Sequence, residues 1–103
     1  MVLEYKQFVE ANGFKAEHTQ IDLIVEDSHL TEFIEAKILY SARTAAHGLG
    51  QLLFYYHSEG TGDEKLSLLF DKKPDEKTIS FIHKYNVEII YKNKNIFSRI
   101  SLN

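Results

Sequence analysis

A chain of 103 residues, 44% hydrophobic and 26% charged, can bury one hydrophobic core but not two, so a single domain over 1–103 is expected. Cysteine is absent, which excludes a disulfide framework, a thiolate nucleophile and a Cys-based zinc site. No apolar run approaches the ~20 residues that cross a bilayer, and residues 1–10 carry charges where a signal peptide would be apolar. The expectation is a cytoplasmic protein with no membrane partner.

In chain order, 3–11 reads as a short helix with Leu3, Phe8 and Val9 turned inward and Asn12-Gly13 closing it. Residues 21–26 and 30–38 are rich in β-branched and aromatic side chains and read as strands, joined by the turn chemistry of Asp27-Ser28-His29. From 42 to 57 the period becomes helical, with Ala45, Leu49, Leu52, Leu53 and Tyr56 on one apolar stripe. Residues 59–64, with Gly60 and Gly62, form a loop before a third strand at 66–70. Pro74 suits the first turn of a helix reaching about 85, and 87–91 is a fourth strand whose apolar continuity predicts burial on both faces. The order α-β-β-α-β-α-β predicts an α/β fold: a mixed sheet in which an antiparallel hairpin is followed by strands joined through helices.

The formal charge of −3 is unevenly spread. Residues 1–71 hold five Lys/Arg against twelve Asp/Glu, and 72–103 hold seven against three. A basic C-terminal third can face a polyanion and a clustered acidic half can hold a divalent cation; two ordinary solvated faces account for the same asymmetry.

Of five acid-x-Lys triplets, only Glu35-Ala36-Lys37 lies inside an apolar strand. Side chains alternate across a strand, so Glu35 and Lys37 share one face. If Asp27 to Leu30 is a four-residue turn, Glu26 opposes Thr31, Ile24 opposes Phe33, Asp22 opposes Glu35 and Gln20 opposes Lys37. That register puts Ile21, Leu23, Val25, Ile34 and Ala36 on the other side, an apolar set, whereas a slip by one residue scrambles both faces. Like charges directly opposed are destabilising unless a cation sits between them or one is protonated. Oxygen ligands without Cys suit Mg²⁺ or Mn²⁺, and an adjacent Lys completes a phosphodiester-hydrolysing centre. A structural ion pair, with Lys37 neutralising Glu35 or Asp22, fits the same three residues.

Asp22 followed by Phe33-Ile34-Glu35-Ala36-Lys37 resembles the catalytic hairpin of the PD-(D/E)XK nuclease superfamily. Gly50-Gln51-Leu52-Leu53-Phe54-Tyr55 is similar to the Gln-x-x-x-Tyr helix of its exonuclease-like branch, and the superfamily also includes Holliday junction resolvases. The Pro of the name is missing, since Ile21 precedes Asp22, and the family's first strand must fit within about 14–18. The resemblance implies a restriction-endonuclease-like fold and a Mg²⁺- or Mn²⁺-dependent deoxyribonuclease, with an endonuclease favoured. Asp22, Glu35 and the Ala36 carbonyl would bind metal, and Lys37 would position the attacking water and stabilise developing charge. Gln51 would orient a ligand or the Lys37 side of the site. A further acid on the first helix is common in the family, and Glu4, Glu10 and Glu17 are candidates.

Arg43, His47, Gln51 and Tyr55, spaced by four, form a polar stripe on the second helix, and with the family match they are expected to contact substrate. The five histidines lack zinc-ligand spacing. Residues 91–99 mix basic, amide and aromatic side chains. They track a nucleic-acid backbone, pair with another subunit through Ile96, Phe97 and Ile100, or fray. The expected partners are DNA and a second copy of the chain, since a domain this small covers few base pairs. Two other readings stand beside this one: a non-catalytic nucleic-acid-binding module, or an assembly subunit of a defence, repair or recombination complex.

Overall fold

A computed structural model describes residues 1–17 and 21–102. The elements are α1 (Val2–Ala11), β1 (Lys15–Glu17), β2 (Leu23–Glu26), β3 (Thr31–Lys37), α2 (Ala42–Glu59), β4 (Lys65–Phe70), α3 (Glu76–His83), β5 (Val87–Asn93) and β6 (Ile96–Ile100). The six strands form one sheet in sequence order. β3, β4 and β5 run parallel, as their helical crossovers require, and the remaining pairs are antiparallel. The fold is α/β, a mixed sheet flanked by three helices. Among the described residues no helix is long and apolar enough to cross a membrane.

Within the ladder the β2–β3 register is the expected one: Glu26 opposes Thr31, Ile24 opposes Phe33, and Leu23 opposes Ile34. Ahead of it the alternation breaks, and Ile21, expected beside Leu23 and Val25, packs instead with Phe33 on the other face. The turn holds because Asp27 folds back, its Oδ1 accepting the N–H groups of His29 at 2.7 Å and Leu30 at 2.8 Å. Residues 18–20 lie outside the described residues, so the expected pairing of Gln20 with Lys37 and the placement of His18 are not part of this account.

Strand alternation sends the side chains of β3 to β5 to both faces of the one sheet, each covered by helix. Phe33, Leu66, Leu68, Phe70, Val87 and Ile89 pack under α2 and α3, while Ile34, Leu69 and Ile90 pack with Leu23 and Val25 under α1. The α1 inward face is Tyr5 and Val9, one helical turn apart. Leu3, expected inside, is 60% exposed, and Phe8 is also exposed, its ring 5.7 Å from that of Phe97 on β6. That aromatic contact needs a strand the local pattern does not announce.

β6 closes a hairpin with β5 through Lys94-Asn95, Lys94 taking a positive φ of 59°. Residues 96–100 are therefore a paired edge strand rather than a frayed end. Pro74 precedes the N-cap of α3 instead of entering its first turn; Asp75 caps the helix by accepting the Thr78 N–H at 2.8 Å.

The apolar reading of the α1 face misses two acids. Glu32 and Glu88, 5% and 6% exposed, sit on it with Ser67 and converge on Arg99 from β6. Arg99 grips Glu32 bidentately at 2.7 and 3.1 Å and reaches Glu88 at 2.9 Å. Ser67 Oγ donates to Glu32, and Lys65 pairs with Glu88 at 2.9 Å. Every carboxylate oxygen in the group meets a donor, so the buried charge is compensated. Lys92, in turn, pairs with Glu4.

Removing one partner leaves the rest buried and uncompensated. Arg99→Ala is expected to lower unfolding stability by about 3 kcal/mol in a denaturant titration. Arg99→Lys, which cannot form the bidentate grip, recovers only part of that loss. A loss below about 1 kcal/mol for Arg99→Ala contradicts this account.

Candidate active site

The β2–β3 ladder ends at Leu23 and Ile34, and Asp22, just ahead of it, comes next to Glu35. The geometry agrees: Asp22 Oδ2 accepts the backbone N–H of Ala36 at 2.9 Å, which binds the first carboxylate to the strand that carries the second. Glu35 is 6% exposed and Asp22 is half-buried. Burial raises the Glu35 carboxyl, and the charge of Asp22 raises it further, to about 7; Lys37 opposes this only in part. Lys37 Nζ stands 3.6 Å from Glu35 Oε2. The three hairpin residues singled out in the sequence are thus brought together.

The second wall is α2. It passes close to the sheet at Gly48, where a Cβ would lie 2.9 Å from Lys37 Cγ and 3.3 Å from Leu68 Cδ2. Any side chain there meets the stem of Lys37, so glycine lets the helix pack tightly enough to hold that lysine in place. Between hairpin and helix lies a cleft of about 850 Å³, in which Asp22, Glu35, Ala36 and Lys37 face Gln51 and Tyr55. The Tyr55 ring rests edge-on against Phe33, centroids 5.1 Å apart, which fixes it against the sheet.

The four-residue polar stripe does not enter the cleft as a unit. Four residues turn a helix by 400°, so each step drifts about 40° and three steps drift about 120°. Gln51 and Tyr55 line the cleft, but His47 is not among its lining residues, and Arg43 lines a separate depression with Lys77 and Phe81 between α2 and α3. The same spacing carried forward reaches Glu59, which does line the cleft, with Phe54 and Ser58. Glu59 is the acid that reading 59–64 as a loop overlooked. Of the three N-terminal candidates, Glu4 pairs with Lys92 and the N-terminus, and Glu10 pairs with Lys6. Glu17 opposes Ile24, one strand beyond the cleft lining. Among the described residues no three metal-ligating side chains gather at one point.

No family model and no curated protein matches the chain. A solved crystal structure is similar: that of AF1548, a protein of unknown function, with a TM-score of 0.68 at 14% identity. The match covers 87% of this chain and 55% of that one, so this chain spans about half its length. At that identity the likeness establishes the fold alone.

The raised Glu35 pKa has a consequence for stability. The folded, metal-free protein keeps a proton that the unfolded chain releases above about 4.5, so the contribution is complete below 4.5 and is lost as pH rises toward 7. In EDTA, unfolding stability should fall over this interval by on the order of 2–3 kcal/mol, and Glu35→Gln should flatten that part of the profile. Identical profiles for wild type and Glu35→Gln contradict the assignment.

Proposed function

We propose that this chain is a metal-dependent nuclease of the PD-(D/E)XK kind, hydrolysing phosphodiester bonds of DNA. The observation that carries the reading is the pair of adjacent carboxyls, half-buried Asp22 and buried Glu35, lining a cleft with Lys37 beside them. Burial first, and then the charge of Asp22, push the Glu35 carboxyl up to about 7, and a bound cation between the two would relieve both. The donor set is two carboxylates, with the Ala36 carbonyl as a further oxygen. This suits Mg²⁺ or Mn²⁺, which complete their shells with water and substrate phosphate instead of an all-protein cage.

When bound, the ion supplies an acidified water and polarises a phosphoryl oxygen. Asp22 and Glu35 would hold it, with Glu35 in its ionised form. Lys37 places a positive charge next to Glu35, where it meets the negative charge that develops on the phosphate. Gln51 and Tyr55, on the opposite wall, orient the substrate strand. The molecule is 34 Å in its longest dimension, about ten base pairs of duplex, so cutting both strands or a junction calls for a homodimer.

Labelled duplex, single-stranded and four-way-junction DNA incubated with Mg²⁺ or Mn²⁺ should be cleaved by the wild type and not in EDTA. Glu35→Ala and Lys37→Ala should each lower the rate by at least about a hundredfold while remaining folded. Cleavage that persists in Glu35→Ala, or a folded wild type silent on all three substrates, overturns the proposal.

A further inference from the structure

Beyond Lys37 the chain leaves the cleft through Ile38 and Leu39 to Tyr40, which is 84% exposed, the most exposed large hydrophobic side chain among the described residues. A tyrosine ring normally buries most of its area. This one is presented on a fixed backbone: Leu39 is buried, and its N–H donates to Asp71 Oδ1 at 2.8 Å, tying the end of β3 to the end of β4. Since Lys37 and Phe70 are register partners, the same tie brings Lys72 and Lys73 out beside Tyr40.

Tyr40, Lys72 and Lys73 line a shallow depression whose walls include Ala42 and Thr78. Those two residues also wall the depression that holds Arg43 and Lys77, so the two form one continuous surface with four exposed cations. None of the four makes an ion pair within 4 Å among the described residues, in contrast to Lys65, Lys92 and Arg99. Three acids share the segment. Asp71 and Asp75 accept the N–H groups of Leu39 and Thr78, Asp75 also lines the depression and feels the charge of Lys77, and Glu76 precedes Lys77 in sequence. On a chain of net charge −3 with two carboxylates in its cleft, this is a surface that can receive a polyanion.

We propose that this surface binds a single-stranded segment of DNA, with a base stacked on Tyr40 and the phosphates following Lys72, Lys73, Arg43 and Lys77. The exposed ring selects the unpaired form, because a stacking face engages only a base that has left the duplex. Tyr40 is three residues, at most about 10 Å of chain, from Lys37, one to two nucleotide steps along a strand. The inference rests on the nuclease reading for what becomes of the bound strand, and it adds a substrate with an unpaired arm or end.

The test is fluorescence anisotropy in EDTA with a labelled oligodeoxythymidylate and a labelled hairpin duplex. Tyr40→Ala should weaken single-strand binding roughly 5- to 100-fold, leave duplex binding unchanged and keep the wild-type melting temperature. Lys72→Glu combined with Lys73→Glu should weaken binding more than tenfold and reduce the salt slope by about two. Wild-type binding by Tyr40→Ala, an equal loss on both probes, or no wild-type binding at low salt overturns the proposal. Cleavage plays no part in the readout. If this pattern holds for a protein that never cuts, the nuclease reading falls alone; if the protein cuts and the pattern fails, the strand-binding surface falls alone.

Discussion

One hydrogen bond organises the functional end of the molecule, that from the Ala36 N–H to Asp22 Oδ2. It joins the residue just ahead of β2 to β3 at the point where Glu35 faces into the cleft. Two carboxyls are thereby held together at a cost, since burial and the charge of Asp22 push Glu35 up to about 7. A chain selected for stability alone has no reason to oppose two acids in a half-apolar hairpin. Everything else at this end, from the glycine contact that seats α2 against Lys37 to the aromatic support of Tyr55 by Phe33, serves to fix the surroundings of that pair.

The two faces of the sheet handle charge in opposite ways. On the α1 side, Glu32, Glu88, Ser67, Lys65 and Arg99 satisfy one another, and the result is a lock that fastens the β5–β6 hairpin to β3 and β4. On the α2 side, Asp22, Glu35 and Lys37 are left facing a cleft, with the nearest cation 3.6 Å from Glu35. A fully paired charge group fits a structural role, and a carboxyl raised to about 7 beside a cleft is a candidate for a site. The contrast is internal to one protein and one sheet, which makes it more telling than either half alone.

How much of this was legible in the sequence depended on whether the signal was local. The hairpin register was legible from Leu23 to Glu26 because a period of two and a turn opened by Asp27 leave a single consistent pairing; Asp22 lies beyond that ladder and meets Glu35 after the alternation has broken at Ile21. The lock on the other face was not, because Glu32 looks like a misplaced acid until Arg99 arrives from 67 residues away, and Glu88 until the β5–β6 hairpin returns Arg99 to it from 11. β6 was read three ways because a short edge strand has little pattern of its own and depends on its partner. On α2 the spacing of four found Gln51 and Tyr55 but also Arg43 and His47, since the drift of the helix separates over three turns what one turn keeps together. Glu59 was lost to a boundary misplaced by two residues.

The central claim is that Asp22 and Glu35 form a half-built cation site holding a proton where the metal belongs. Isothermal titration of the intact protein with Mn²⁺ at pH 6, repeated in buffers of different ionisation enthalpy, addresses it directly. The account predicts one binding event that releases close to one proton, with both the heat and the proton release lost in Glu35→Gln. Binding without proton release, or no Mn²⁺ binding by a folded wild type, contradicts it.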